Sequence, residues 1–396
     1  MTQHLPTVIL GAGAAGMMCA AHAGPGSVVI EHRASPGEKI RISGGGRCNF
    51  TNMHAAAENY ISGNPHFAKS ALKRYTQWDF LDLVQRHGIA WHEKTLGQLF
   101  CDDSAVQIID LLTAEMAAAG AELWLSTSVE EVAHDGTRFR LRLSREGRGR
   151  TVTCDALVLA TGGKSIPKIG ATGLAYRIAE QFGLAVTETR PGLVPLTFGD
   201  RFAALSGVAC PARLSCGGAG FEEALLFTHR GLSGPAVLQV SSYWREGEDI
   251  SVHLLPGTDL FAFLKAERQK AGRRDIATVL AEALPKRLAQ HVAAEAGLKG
   301  NLADCSDKLL HSFAAGLADW RLKPTGSEGY RKAEVTLGGI DTGGLDAKTM
   351  ESRRTPGLHV IGEAMDVTGW LGGYNFQWAW SSGWAAGQAI RARRQA

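Results

Sequence analysis

The sequence predicts an α/β fold in which one parallel sheet is built from both ends of the chain. Two short apolar runs near the N-terminus, Thr7–Leu10 and Val28–Ile30, enclose a glycine-rich turn and a helical stretch of small residues. A similar apolar run at 357–363 precedes a second glycine-rich turn and a helical segment. Between 191 and 325 these signals are replaced by a β-rich and then a helical pattern. We therefore expect a discontinuous Rossmann-like dinucleotide-binding domain that carries two insertions.

The N-terminal turn, residues 11–16, has the GxGxxG spacing of a dinucleotide site. Gly11 permits the tight turn, Gly13 lets the backbone approach a pyrophosphate, and Gly16 lets the helix pack on the strand. Glu31 follows the second strand, 20 residues after Gly11, where a carboxylate can accept hydrogen bonds from ribose hydroxyls. An ordinary glycine-rich turn is the alternative. The predicted contacts of this unit are Gly11, Gly13, Ala14, Ala15, Gly16, Glu31 and His32.

Length and composition set the broad class. The 396 residues are enough for two or three domains, and 45% hydrophobic with 20% charged residues is typical of globular proteins. A formal charge of +3 is too small to indicate nucleic acid or an anionic membrane as a partner. The basic stretch Arg142–Arg150 contains Glu146 and flexible residues, so we interpret it as a solvated hairpin turn.

Seven scattered cysteines without a CxxC motif are typical of a reducing compartment. They predict neither a disulfide framework nor a zinc or iron–sulfur site. We therefore expect a cytoplasmic enzyme with a small-molecule substrate, without a metal, a nucleic-acid partner or a membrane association. The sequence carries no prediction of the oligomeric state.

A second glycine-rich segment follows Glu31. Three consecutive glycines lie between Arg41 and Arg47, and such a backbone can lie against a flat ligand while basic side chains offset phosphate charge. A flexible surface loop is the alternative. The predicted contacts in this segment are Lys39, Ser43, Gly44, Gly45, Gly46, Arg47, Cys48 and Asn49.

The next part of the chain alternates helical and strand patterns. Helical periodicity covers Phe67–His87 and Ala105–Ala119, and strand patterns cover 123–125, 138–143 and 154–160. The last strand ends in small residues, which leave room for a ligand at the carboxyl edge of a parallel sheet. The predicted contacts here are Val129, Ala160, Thr161, Gly162 and Gly163.

The composition changes at Pro191 and changes back near Tyr330. Short β-like runs broken by Gly and Pro are followed by helical patterns such as Leu260–Ala271 and Ile276–Ala283. The predicted domains are therefore the dinucleotide-binding parts 1–190 and 326–396, an inserted β-rich domain at 191–257 and an inserted helical domain at 258–325.

The late motifs favour FAD over NAD. Extended FAD needs contacts from several strand ends, and such ends occur at 160–163 and 360–363, whereas NAD could use the first unit alone. A helix that begins after Gly373 would stabilise negative charge on a reduced flavin. The predicted contacts are Gly362, Glu363, Asp366, Gly372, Gly373, Tyr374 and Asn375.

With these motifs, the chain resembles the BaiN/RdsA-type family of NAD(P)/FAD-dependent oxidoreductases, also called YhiN-like flavoproteins. The resemblance implies an FAD domain formed by both ends of the chain and interrupted by a β-rich and a helical domain. Gly97–Cys101 departs from the family pattern, in which Phe-Pro is usual. The blocks that carry the resemblance are Gly11–Gly16, Lys39–Asn52, Ala160–Gly163, Leu225–Pro235, Val335–Ile340, Met350–Ser352 and Gly362–Gly387.

These observations predict an FAD-dependent oxidoreductase, an NAD(P)H-driven reductase of an unsaturated or carbonyl-containing small molecule. No second GxGxxG unit follows, so NADH or NADPH would bind transiently. A flavin oxidase that uses oxygen, a flavoprotein that acts in RNA modification and a redox sensor are the alternatives. His229 is the candidate proton donor, with a structural role as its alternative. Cys48 is a second candidate, although a packed thiol is favoured because no cysteine lies close to it in sequence.

Overall fold

The computed structural model describes residues 2–395. The strands are β1 (Gln3–Leu10), β2 (Ser27–Ile30), β3 (Asn49–Asn52), β4 (Tyr60–Ile61), β5 (Trp91–Glu93), β6 (Gln98–Cys101), β7 (Glu122–Trp124), β8 (Thr127–His134), β9 (Phe139–Arg145), β10 (Arg148–Leu159), β11 (Arg190–Gly192), β12 (Leu196–Thr197), β13 (Ala209–Cys216), β14 (Ala219–Thr228), β15 (Gly231–Ser233), β16 (Ile250–Leu254), β17 (Trp320–Leu322), β18 (Gly326–Ser327), β19 (Val335–Leu337), β20 (Leu358–Val360) and β21 (Thr368–Gly369).

The α-helices are α1 (Ala14–Ala23), α2 (Glu38–Ile42), α3 (Lys69–Arg74), α4 (Gln77–Arg86), α5 (Val106–Ala118), α6 (Leu174–Gln181), α7 (Pro235–Ser241), α8 (Leu260–Ala271), α9 (Ile276–Leu280), α10 (Lys286–Glu295), α11 (Asp307–Ala318) and α12 (Tyr374–Gln395). Within residues 2–395, no helix combines the length and the apolar character needed to cross a bilayer.

The chain forms two compact units. The first comprises the chain up to Arg190 and from Val335 onward, and the second is Pro191–Glu334. The strands and helices of the second unit share one apolar core, so this unit holds both of the inserted segments that the sequence predicts. The boundaries at 257 and 325 stay predictions.

The main sheet of the first unit has the strand order β7-β2-β1-β10-β9-β8. Strands β2 and β10 lie parallel to β1, while β9 runs antiparallel to the first half of β10 and β20 runs parallel to its second half. The pairing of Leu10 with both Ile30 and Leu159 brings three strands to a common carboxyl edge. The predicted α/β, Rossmann-like fold class is thus confirmed.

The longest helix, α12, packs against α1. A Cβ atom at Gly383 would lie 2.5 Å from the Ala15 carbonyl oxygen, and one at Gly387 would lie 2.7 Å from the Cys19 carbonyl oxygen. The two glycines, four residues apart, therefore let the two helix backbones approach closely. The last helix of the chain thereby covers the first βα unit.

The helical pattern at 67–87 is divided in the structure. Helix α3 ends before Tyr75, and Thr76 starts α4 by accepting a hydrogen bond from the Asp79 N–H while its own N–H donates to the Asp79 carboxylate. This capping box fixes a new helix start inside a continuous apolar pattern. The helix predicted at Ala105–Ala119 is confirmed.

The second unit contains a seven-stranded sheet with the order β17-β16-β13-β14-β15-β12-β18. Strands β14 and β15 form a hairpin in which Thr228 pairs with Gly231, so His229 and Arg230 form its turn. The helix predicted at Leu260–Ala271 is confirmed.

Candidate functional site

A cavity of about 370 Å³ lies in the first unit where β1, β2 and β10 end. Ligands of parallel α/β sheets bind at this edge, and the volume is within the ~300–1,000 Å³ typical of ligand sites. The turn after β1, the first residues after β2 and the segment after β10 line it.

The glycines of the first turn have two different surroundings. Gly11 has φ +107°, and a Cβ there would lie 2.6 Å from the Ala160 carbonyl oxygen. A Cβ on Gly16 would lie 2.0 Å from the Gly11 carbonyl oxygen, so both glycines are required by packing. A Cβ on Gly13 would meet no atom within 4 Å among the described residues and would occupy the cavity. Gly13 therefore leaves space for a ligand beside the start of α1.

Helix α1 begins beside that space, and no side chain within residues 2–395 caps its N-terminus. Its first N–H groups have no partner inside the helix. Together with the helix dipole they form a site for an anion such as a pyrophosphate.

Glu31 lies at the end of β2 with its carboxylate held in place. Oε2 accepts from the Ala12 N–H and Oε1 from the Arg33 N–H, both at 2.9 Å, while His32 Nδ1 lies 3.0 Å from Oε1. Burial alone would raise the pKa of Glu31, but these hydrogen bonds outweigh it and hold the pKa below its usual value. The carboxylate is therefore ionised and can accept further hydrogen bonds from a ribose.

Thr161 follows β10 and lines the cavity. Its hydroxyl Oγ1 is buried and has no hydrogen-bond partner among the described residues. Buried polar atoms are nearly always paired, so this atom points to a bound polar group. Beside it, a Cβ on Gly162 would meet no described atom within 4 Å. These features fit an extended dinucleotide that touches the ends of several strands.

Lys39 and Glu363 form an ion pair at the cavity wall. Lys39 Nζ also donates to Ser165 Oγ at 2.9 Å. Glu363 Oε1 accepts from Ser165 Oγ at 3.0 Å and from the Thr336 N–H at 2.9 Å. This network joins four segments that are distant in sequence, and it neutralises the charge of Lys39. Much of the capacity of Glu363 to accept hydrogen bonds is therefore used within the protein.

The predicted contacts divide into two groups. Those that line the cavity are Gly11, Gly13, Ala14, Ala15, Glu31, His32, Lys39, Val129, Ala160, Thr161, Gly162, Gly163, Gly362, Glu363 and Asn375. Those outside its lining are Gly16, Ser43, Gly44, Gly45, Gly46, Arg47, Cys48, Asn49, Asp366, Gly372, Gly373 and Tyr374. The cofactor contacts of both groups stay predictions.

Several residues outside the lining have packing roles. A Cβ on Gly373 would lie 2.4 Å from the Thr51 carbonyl oxygen. The buried carboxylate of Asp366 accepts from the Gly63 N–H at 2.9 Å, and burial raises the pKa of this group. These two residues fix the positions of neighbouring loops.

Cys48 is fully buried and has φ +50°. Asn49, the next residue, pairs with Phe100 in antiparallel strands, and this pairing places Cys48 beside Cys101. The two cysteines are nevertheless far apart in sequence. Burial raises the pKa of Cys48 and raises that of Cys101 to about 12. Both thiols therefore stay protonated, which disfavours nucleophilic chemistry.

His229 lies in the second unit. It is exposed at the hairpin turn, where Thr228 Oγ1 accepts from the N–H groups of Arg230 and Gly231. Its role as proton donor stays a prediction.

Sequence reasoning missed part of the cavity wall. The segment after β10 also lines the cavity through Ser165 and 169–172, and the start of β8 supplies Thr127 and Ser128. For Ser165 and 169–172, the glycine-rich run after the end of β10 is the sequence feature that could have predicted a ligand contact. The other lining residues outside the prediction include Arg33, Glu38, Leu174, Arg177, Phe376 and Trp378.

Comparison with known proteins places the chain in a protein family. The model of the family described as "HI0933-like protein Rossmann domain" matches residues 5–389. The chain is 52% identical to the "Ribosomal RNA dihydrouridine synthase" of Escherichia coli (strain K12), with 99% of both chains covered. It is 44% identical to the protein of the same name from Haemophilus influenzae (strain ATCC 51907 / DSM 11121 / KW20 / Rd), with 98% of this chain and 99% of that one covered.

Among solved structures, the fold is similar to that of a point variant of the FrdA chain of E. coli quinol fumarate reductase. The TM-score is 0.52 at 16% sequence identity, and the match covers 100% of this chain and 71% of the other. At this identity the likeness concerns the fold alone.

The relatives correct one prediction from the sequence. The absence of a nucleic-acid partner, inferred from the small net charge, is wrong, because the relatives that cover nearly the whole chain are named for ribosomal RNA. The physical reason is that net charge averages over the molecule. Locally the charge is uneven, since residues 138–150 contain six arginines and one acid.

The predictions of a flavoprotein and of an oxidoreductase are confirmed at the level of the family. From the cavity at the glycine turn, the match over residues 5–389 and the identity to these relatives, we conclude that the chain belongs to the HI0933-like family of FAD-dependent oxidoreductases, the BaiN/RdsA-type family.

Proposed function

We propose that this protein reduces a uracil base of ribosomal RNA to dihydrouracil, with FAD as cofactor and a nicotinamide as electron donor. The observation that carries the proposal is the 52% identity, over 99% of both chains, to a protein named ribosomal RNA dihydrouridine synthase. Uracil contains a carbon–carbon double bond conjugated to a carbonyl group. It therefore belongs to the chemical class that the sequence predicted for the substrate, although it is carried by RNA and is not a free small molecule.

The residues of the cavity would hold the cofactor. The N–H groups at the start of α1 and the open space at Gly13 suit the pyrophosphate, and the carboxylate of Glu31 suits a ribose. The unpaired hydroxyl of Thr161 and the ammonium group of Lys39 offer further hydrogen bonds. When bound, FAD supplies the hydride-transfer chemistry.

Reduction of a conjugated double bond needs a proton at the carbon that does not receive the hydride. Histidine is the side chain that most often serves as general acid or base in enzymes. We assign this role to His229, whose ring is exposed in the second unit. Cys48 is buried with a raised pKa, so we assign it a packing role.

The electron donor would be NADH or NADPH. The chain has one GxGxxG unit, and its surroundings suit FAD. The nicotinamide would therefore bind transiently and leave after the flavin is reduced.

The test is a reaction with ribosomal RNA transcribed in vitro, which carries no modified bases. Purified protein, FAD and either NADH or NADPH are added, the RNA is digested, and dihydrouridine is measured by mass spectrometry. We expect dihydrouridine only when a nicotinamide is present. The Glu31→Ala protein is the control for cofactor dependence, because loss of the ribose contact should lower FAD retention.

A different outcome would contradict the proposal. If NADH or NADPH reduces the flavin but no dihydrouridine forms, RNA is not the substrate. Anaerobic reoxidation by an unsaturated carbonyl compound would then support the small-molecule reductase, and reoxidation by oxygen alone would support the oxidase.

A further inference from the structure

The hairpin between β9 and β10 is rich in arginine. Residues 138–150 contain one acid, Glu146, and no lysine. The six arginines are Arg138, Arg140, Arg142, Arg145, Arg148 and Arg150. The sequence alone suggested a solvated turn, and the structure adds the arrangement of these side chains.

The turn of the hairpin fixes which arginines share a face. Glu146 and Gly147 have φ +51° and +75°, the signs required by a two-residue type I′ turn. Arg145 therefore lies directly opposite Arg148. Side chains two residues apart in a strand lie on the same face, so Arg150 belongs to the same side. We call Arg145, Arg148 and Arg150 the arginine face.

Two of the other three arginines of the hairpin form ion pairs with acids. Arg138 forms an ion pair with Asp155, and Arg142 forms ion pairs with Glu130 and Glu131. Acids thus occur on this sheet, but they lie beside arginines outside the arginine face.

No residue of the arginine face forms an ion pair with a carboxylate within residues 2–395. Arg150 lies 4.4 Å from the centroid of the Trp124 ring and donates to the neutral side chain of Gln3. Arg145 and Arg148 are exposed. Glu146 lies in the turn itself, and the Glu122 carboxylate accepts from Trp124 Nε1 at 2.9 Å.

This arrangement is unfavourable for the isolated protein. Like charges directly opposite each other in an antiparallel pair are destabilising. A ligand that brings negative charge would relieve the repulsion, and the planar guanidinium group binds phosphate in a bidentate manner. The hairpin also belongs to the sheet that builds the cofactor cavity, since Arg145 pairs with Thr127 of the cavity wall.

We infer that the arginine face binds the phosphate backbone of the RNA that the enzyme acts on. The inference rests on the proposed function for the identity of the RNA. Contacts from arginine to phosphate position a nucleic acid without reading its sequence. This face would hold the RNA while residues elsewhere select and reduce the base.

The experiment compares two double variants that lower the net charge equally. Arg145→Gln/Arg148→Gln removes the opposed pair of the arginine face, and Arg138→Gln/Arg142→Gln removes two arginines of the same hairpin that already pair with acids. Binding of the holoenzyme variants to transcribed ribosomal RNA is measured by filter retention over a range of salt concentrations.

For the arginine-face variant we expect Kd to rise by about tenfold per arginine, the effect of losing one charge-assisted hydrogen bond. The slope of log K against log salt should fall in magnitude by about 2, one for each phosphate contact. The paired-arginine variant should bind as the wild type does. The thermal midpoint of the arginine-face variant should not fall, because a repulsive pair is removed.

The outcomes separate this inference from the proposed function. If the arginine-face variant keeps the wild-type Kd and salt slope, the inference is wrong, whether or not the wild type forms dihydrouridine. If the variant loses affinity and the wild type forms no dihydrouridine, the RNA contact stands and the proposed reaction fails. With both correct, the variant should form dihydrouridine at the wild-type maximal rate and only at higher RNA concentration.

Discussion

Single residues of the cavity differ in how far the sequence reveals them. Glu31 follows a glycine turn at a fixed spacing, and its carboxylate binds the N–H of Ala12, so local chain geometry explains its position. The hydroxyl of Thr161 is informative because it has no partner among the described residues, which only the packed structure reveals. Lys39 and Glu363 are 324 residues apart, and no local pattern encodes their ion pair.

At this scale the roles of His229 and Cys48 can be separated by half-reactions. Cys48→Ser should leave both flavin reduction by NAD(P)H and turnover close to wild type, because the buried thiol has a raised pKa. His229→Ala should leave flavin reduction intact and slow reoxidation by the organic substrate by ~10²–10⁴-fold, the usual contribution of a proton donor.

Rapid-mixing measurements of flavin absorbance follow each half-reaction separately. Loss of turnover in Cys48→Ser would assign chemistry to the thiol. Wild-type reoxidation in His229→Ala would mean that the histidine is structural and that another group supplies the proton.

Among the elements, α1 and α12 show how glycine spacing sets helix packing. Both helices were predicted from the sequence, since each follows a glycine-rich turn after an apolar strand. Their contact was not predictable, because glycines within a helix resemble weak helix formers until the opposite surface is known.

The glycine loop at 44–46 shows the reverse case, in which a sequence pattern suggests more than the cavity contains. Its three glycines suggested a ligand contact, and the structure places the loop outside the lining of the cavity.

The helix contact predicts opposite effects for two Gly→Ala changes. Gly387→Ala adds a methyl group 2.7 Å from the Cys19 carbonyl oxygen, so overpacking should lower the free energy of unfolding by roughly 1–3 kcal/mol. Gly316→Ala in α11 is the matched control, because no described atom lies within 4 Å of the new methyl group. It should raise the free energy of unfolding by up to about 1 kcal/mol. Denaturant unfolding measures both, and equal effects would argue against close packing of α1 on α12.

For the whole molecule, the sequence predicted where the insertion begins, because composition changes at Pro191, the first residue of the second unit. The sequence marks the end of the insertion less clearly than its start. The second unit continues to Glu334, nine residues beyond the boundary at 325 that the sequence predicts. Segment 326–334 has no strong helix or strand pattern in the sequence. Whether the β-rich and helical segments are separate domains cannot be read from composition, since a shared core depends on contacts distant in sequence.

This organisation predicts that the second unit is dispensable for cofactor binding. All residues that line the cavity lie in the first unit, so replacing 191–334 with a short glycine–serine linker should leave FAD binding detectable. Turnover should be lost, because the replaced segment contains His229. Acid precipitation followed by chromatography of the supernatant measures the bound FAD. A truncated protein that folds, as judged by circular dichroism, but contains no FAD would contradict the prediction.

The pairing of β10 with β20 also has a consequence during synthesis on the ribosome. Leu159 and its partner Val360 are 201 residues apart in the sequence, and helix α12 comes later still. At a synthesis rate of ~5–20 residues per second, roughly 10–40 s pass between the addition of Leu159 and the addition of Val360 to the nascent chain. Throughout that interval the face of α1 that α12 will cover is open to chaperones and to other nascent chains. The cavity can close only when the last few dozen residues have emerged, so messages that end early would yield polypeptides unable to retain flavin.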